Sequence, residues 1–388
     1  MKRFIFLGLV LSALLSFGQN RKEIPLENPR NYSVKRFGTD SLDRGMFLIK
    51  NANDFLLIGL TYNVNPQLML SGVNSDAEVK WNKIYPSKNF QFAFAGTSNR
   101  EGVIILSGYA AGKTRDLDAF VTRVNFLGDT LWTRKIGGPQ GDRGYKVINT
   151  KDGNFVVIGQ TLSFGNGGID SFIIKINKDG NIIWQRTFGT DKMERTYSGI
   201  ELDNGELIIS GIANEDYPKN SEMLVMKLSA DGDLIWKNVT ETPKGEIAHS
   251  LHRLKDNTYF IVGYTAEKSD SISDPMIVHM NEKGETLGKH IMVTGEDVRL
   301  INGFVTEDNQ YVRTGFSKKT LKSDSELLLV KFNFKTSKMT LKKVSVSAKD
   351  EEGYHAQPID NNTALIVGHT LDGNGDILLI KWDHAKGT

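Results

Sequence analysis

Asn154–Thr161 reads NFVVIGQT, and Asp170–Gly189 follows as DSFIIKINKDGNIIWQRTFG. The next block repeats both, as ELIISGIA (Glu206–Ala213) and EMLVMKLSADGDLIWKNVT (Glu222–Thr240). Short runs of Val, Ile, Phe and Trp suit pleated strands. Lys151-Asp152-Gly153-Asn154 and Lys178-Asp179-Gly180-Asn181 separate them with the positive-φ residues of hairpin turns. The third copy therefore predicts strands over Tyr145–Asn149, Phe155–Gly159, Ser171–Ile176 and Ile182–Thr187.

The unit recurs along the chain. The glycine expected to end each second strand appears as Gly59, Gly108, Gly159, Gly211, Gly263, Gly315 and Gly368. Trp81, Trp132, Trp184 and Trp236 hold the same spacing, while Trp382 is out of phase. Four antiparallel strands in about 50 residues make one β-propeller blade. The last copy supplies only three strands before the chain stops at Thr388. Tyr32–Gly38, YSVKRFG, resembles the fourth strand of other copies and is expected to complete the seventh blade. The fold expected is an all-β, seven-bladed propeller over residues 31–388, closed by its N-terminal strand.

Composition agrees with one repetitive domain. The chain has 388 residues, 38 glycines, 9 prolines and no cysteine. Without cysteine it has no disulfide, thiolate metal site or cysteine nucleophile. A formal net charge of +2 argues against a basic nucleic-acid binder. Lys2 and Arg3 precede the uncharged run Phe4–Phe17, and Ser16-Phe17-Gly18 offers small residues for cleavage. Residues 1–18 thus read as a signal peptide and residues 19–30 as a linker. The run is too short for a membrane span, which needs about 20 apolar residues. An exported monomer, periplasmic or secreted and without a membrane span, is expected.

The mature chain resembles secreted bacterial propeller-repeat proteins of the Bacteroidetes type. The resemblance rests on Asp118, Asp170, Asp274 and Asp376, the recurrent glycines and the four tryptophans. It implies the propeller architecture and no single activity. The tryptophan-and-turn unit is also similar to quinoprotein propellers, but those have eight blades, so no cofactor is expected. The C-terminal immunoglobulin-like sorting domain that many such proteins carry is not expected here.

Charges five residues apart recur along the third strands, as in Asp118/Arg123, Asp170/Lys175 and Asp376/Lys381. An odd spacing puts the two on opposite faces, so each is expected to bond a neighbouring blade or a loop amide. Asp231-Gly232-Asp233 reads as a turn, since other copies lack the aspartates a calcium loop needs. No metal is expected.

Two features point to a site. The loops between second and third strands vary, and variable loops on a rigid scaffold are where binding usually resides. The connections into the innermost strands are more regular: Asp43-Arg44-Gly45-Met46, Asp142-Arg143-Gly144-Tyr145, Glu194-Arg195-Thr196-Tyr197, Glu246-Ile247-Ala248-His249 and Glu352-Gly353-Tyr354-His355. Around a ring they would bring Arg143, Tyr145, Arg195, Tyr197, His249, Tyr354 and His355 to the channel mouth. Tyrosine with arginine suits sugars, acidic sugars or peptides. The competing reading is structural, with acid–arginine pairs stapling adjacent blades and the aromatics packing between sheets.

No G-x-S-x-G, HExxH or cysteine cluster is present. The function expected is a non-catalytic scaffold that binds a protein or glycan partner on its loop face. The alternative is a polysaccharide lyase or other glycan-active enzyme, with Tyr354, His355, Arg143 and His249 as acid, base and charge neutraliser.

Overall fold

A computed structural model describes residues 20–22 and 31–386, apart from 63–64, 87–90, 100, 103, 112–116, 214–220, 241–244, 267–271, 337 and 348. The expected signal peptide, residues 1–18, lies outside the described residues, as do residues 112–116, 214–220 and 267–271 of the variable loops between second and third strands.

Seven antiparallel sheets follow one another around a ring. The third blade is typical, with strands Asp142–Asn149, Phe155–Thr161, Asp170–Ile176 and Ile182–Phe188 paired in that order. Six blades are built from four consecutive strands. The seventh takes Glu351–Pro358, Thr363–Thr370 and Asp376–Asp383 from the end of the chain. Tyr32–Gly38 supplies its fourth strand, with Tyr32 opposite Trp382 and Phe37 opposite Ile377. This is the expected closure. Asn20–Lys22, inside the stretch expected as a linker, adds a short fifth strand against Arg36–Gly38. No helix among the described residues is long and apolar enough to cross a membrane.

The second and third strands are buried on both faces, because each sheet is sandwiched between two neighbours. All seven residues of Phe155–Thr161 and of Asp170–Ile176 are buried. Apolar clusters accordingly lie between blades. One joins Val156, Ile158 and Ile173 of the third blade to Leu207, Ile209 and Leu224 of the fourth. The repeated tryptophans staple the same interfaces on the outside. Trp184 lies against Gly232 in the next blade's turn (φ +84°), and its Nε1–H donates to Ala230 O at 3.2 Å. Trp132 makes the same contact with Gly180 and Lys178 O.

The recurrent glycines have a different cause from the one expected. Gly159 does not end its strand, which continues to Thr161. It stands opposite a β-bulge in the innermost strand, where pairing slips between Gly144 and Lys146 and leaves Tyr145 extra. Equivalent slips occur in all seven innermost strands, and each lies opposite one of the seven glycines. The bulge presses a carbonyl onto the glycine. A Cβ on Gly159 would lie 1.8 Å from Arg143 O, and one on Gly211 would lie 1.9 Å from Arg195 O. The period in the sequence is therefore the period of a backbone contact.

The third-strand charges are structural in the blades where their partners are seen. Lys175 pairs with Asp152 in its own blade's turn (2.8 Å), while Lys381 reaches Asp76 of the first blade (2.7 Å). At the opposite end of the strand, Asp170 accepts from the Asn166 N–H, and Asp376 is held by Arg36.

Candidate functional site

Each bulge inserts one residue into the innermost strand and turns it towards the ring axis. The inserted residues are Met46, Phe94, Tyr145, Tyr197, His249, Ile301 and Tyr354, and all seven line one cavity of about 290 Å³. Four of them were expected at the channel mouth. Met46, Phe94 and Ile301 were not expected in a site. The connection before Phe94 has neither acid nor arginine, and the one before Ile301 has them one residue apart, as Asp297 and Arg299, ion-paired at 3.4 Å. The signal that finds them is spacing, for each inserted residue lies 14 residues before its blade's glycine (13 in the first blade).

The aromatic members form an arc. Ring centroids are 5.4 Å apart for Phe94–Tyr145, 5.3 Å for Tyr145–Tyr197 and 5.8 Å for Tyr197–His249. The last pair is nearly parallel. Hydrogen bonds set the hydroxyls: Tyr145 Oη–H donates to Gln160 Oε1 and Tyr354 Oη–H to Glu352, both at 2.8 Å. Burial, with Glu352 beside it, pushes the Tyr354 phenol far above its ordinary value. Burial and the positive charges of Arg313 and Arg299 push His249 down to about 4. His249 is therefore neutral at neutral pH.

The other expected site residues are placed differently. Arg143 lies over the Tyr109 ring at 5.0 Å and does not line this cavity, nor does Arg195. Both stand two residues before the bulge, one layer nearer the loop face. His355 follows its bulge instead of occupying it. It packs between the seventh and first blades, stacked on Phe47 at 3.7 Å, with Nδ1 accepting from the Leu48 N–H. The expected quartet of Tyr354, His355, Arg143 and His249 is thus not gathered in one cavity; only Tyr354 and His249 line it.

The acidic residues of the connections have a role other than pairing with the neighbouring arginines. Asp142 accepts from the Gly138 N–H at 2.8 Å and from the Ser163 hydroxyl at 2.7 Å. Glu194 accepts from the N–H and hydroxyl of Thr190, and Asp43 from those of Thr39. Each carboxylate ties down the connection that enters its own blade, satisfying loop amides that would otherwise be buried unpaired.

Below the aromatic ring the strands continue towards the turn face. The residues after the bulges, among them Phe47, Lys146, Ser198, Ser250, Asn302 and His355, line a second cavity of about 430 Å³. Phe47, Lys146, Ser198, Ser250 and Asn302 border both cavities, so the two are successive sections of one central channel. Neither section is lined by an aspartate or glutamate among the described residues. Nor, among those residues, does any group of three or more histidines and carboxylates converge as metal ligands would.

No protein-family model and no curated protein matches the chain. Solved structures share its fold. The polysaccharide lyase Uly1 superposes with a TM-score of 0.56 at 10% identity, over 87% of this chain and 90% of the lyase. A puromycin-hydrolysing peptidase of Mycobacterium tuberculosis gives 0.53 at 13% identity over 84% of this chain. The match covers 49% of that peptidase, so this chain spans about half its length. The β-propeller domain of the Trilobed protease from Pyrococcus furiosus, described as having an open velcro topology, gives 0.50 at 10% identity, over 88% and 96% of the two chains. At these identities the likeness is one of architecture: this chain is similar to glycan-active and proteolytic propeller proteins in fold.

Proposed function

We propose that this chain is an exported, monomeric binding protein that takes a glycan at the loop-face mouth of its channel. The observation that carries the reading is the ring of seven bulge residues, four of them Phe or Tyr and one a neutral His, around a cavity of about 290 Å³. Aromatic faces stack on the apolar faces of sugar rings, while phenol and imidazole edges bond hydroxyls. That volume lies at the lower end of the ~300–1,000 Å³ common for small-molecule sites, room for a small ring or a chain end. The export and localisation in this reading rest on residues 1–18.

The test is calorimetric titration with neutral and uronic-acid oligosaccharides. Saturable binding of at least one, weakened about tenfold or more by Tyr197→Ala, is the expected result. Absence of binding across the set overturns the reading. A second reading, a glycan-active lyase, is favoured by one observation: a neutral His249 and Tyr354 share the cavity. Unsaturated-product absorbance that appears with a uronic-acid polysaccharide and disappears in His249→Ala would replace binding with catalysis.

A further inference from the structure

We propose that the channel holds a second, deeper site for a small oxyanion, carboxylate or tetrahedral, with the Lys146 ammonium as its charged anchor.

Lys146 directly follows the Tyr145 bulge and borders both sections of the channel. Among the described residues its ammonium makes no hydrogen bond or ion pair; Nζ lies over the Phe47 ring, 5.0 Å from the centroid. The groups at the same level are donors. His355 Nδ1 accepts from the Leu48 N–H, which leaves the proton of the neutral ring on Nε2. Ser198 Oγ accepts from the Leu251 N–H, so its own hydroxyl proton is left for another acceptor. Asn302 and Ser250 complete this level of the wall.

Behind the wall stands a second cation. Arg313 is fully buried and donates to Leu300 O at 2.7 Å and, at 3.4 Å, to Ser250 Oγ. Its Nε and one terminal nitrogen have no partner. Lys50, which also lines the deeper section, is taken up by Ile359 O. Among the described residues no carboxylate lines either section, so none of them neutralises Lys146 on the channel wall. A cation held in protein without a counter-ion is costly, and an anion from solvent lowers that cost. The ionisations agree in sign. Burial lowers Lys146 to about 8 and Arg313 to about 10; burial first, and then the Lys146 charge, push His252 and His355 well below 6.5, with Arg313 acting on His252 as well.

The site lies below the bulge residues and shares Lys146, Ser198, Ser250 and Asn302 with the floor of the mouth section, but it does not depend on the glycan reading. Calorimetry with sulfate and with acetate, at low ionic strength, tests it. At about pH 6.5 one of the two probes should bind saturably, one per chain; which one distinguishes a tetrahedral from a carboxylate ligand. Lys146→Met should weaken binding about tenfold or more, while Lys146→Arg keeps it. In the unaltered protein, raising the pH to about 9 should weaken binding about tenfold as Lys146 loses its proton. The histidines facing it, His249, His252 and His355, are already neutral across that range, and sulfate keeps its charge. The proposal is overturned if neither probe saturates, if Lys146→Met binds as well as the parent, or if affinity is the same at both pH values.

Discussion

Gly159 faces the carbonyl of Arg143 so closely that a Cβ on the glycine would lie 1.8 Å from that oxygen. The contact exists because Tyr145, two residues after Arg143, is the bulge residue that enters the channel. The fold's most regular feature and the lining of its candidate site are two sides of one backbone irregularity.

Gly159→Ala therefore tests both. Backbone has to move to admit the methyl group, and overpacking of this kind costs about 1–3 kcal/mol, sometimes more. The urea midpoint should fall accordingly. Any ligand that binds at the mouth should bind more weakly, since Tyr145 is displaced. An unchanged midpoint would show that the bulge relaxes freely.

Trp184→Ala should destabilise the ring by about 3 kcal/mol, because a large side chain is lost from the seam between the third and fourth blades. Trp184→Phe keeps much of the packing and loses the bond to Ala230 O, so a loss nearer 1 kcal/mol is expected. Equal losses in the two variants would mean that the hydrogen bond, not the packing, holds the seam.

Arg36 anchors the closing strand. Its guanidinium bonds Asp376 Oδ2 through two nitrogens at 3.1 and 2.8 Å, and Asp372 through the third at 3.1 Å. Arg36→Met removes a cation that is only 8% exposed from beside two carboxylates. We expect a loss of about 2 kcal/mol and faster proteolysis before Leu42. The double variant Arg36→Met/Asp376→Asn should recover part of that loss; simple additivity would show that the two residues do not interact.

Acid should weaken the fold through its histidines. Burial holds His369 down to about 3 and His249 to about 4, with His252 and His355 also well below 6.5. In the unfolded chain these rings take protons near pH 6.5 while the folded ones cannot. Their contribution is thus present above about pH 6.5 and lost as the pH falls towards the folded values. Each such proton adds about 1.4 kcal/mol per pH unit to the slope. His369→Gln should flatten the stability profile between about pH 6 and 4 by that amount. The raised carboxylates, Asp43 and Glu351 among them, act with the opposite sign and cancel in the comparison. Identical slopes would refute the assignment to His369.

The architecture was legible because its constraints repeat. Glycine recurs where a carbonyl presses on the second strand, and tryptophan where the outer strand meets the next blade's turn, so both leave a period that survives loop variation. The site was legible only in part. Tyr145, Tyr197, His249 and Tyr354 stood out as aromatics at one phase, but Met46, Phe94 and Ile301 share that phase and carry no chemical signature. Arg143 and Arg195 looked like binding residues because the acid–arginine pattern was regular. That regularity belongs to the carboxylates, which cap the connecting loops.

From its sequence alone this protein is a propeller of seven blades completed by the N-terminal strand, since strand alternation, turn residues and copy number are properties of one repeat and a count. What faces the axis was decided by tertiary structure. A one-residue slip in pairing reverses which side chains point inward, and no single strand reveals its register. The charge balance of the channel was likewise invisible. Lys146 is one lysine among many along the chain, and among the described residues it has no counter-ion, because the innermost strands bring no carboxylate to the channel wall.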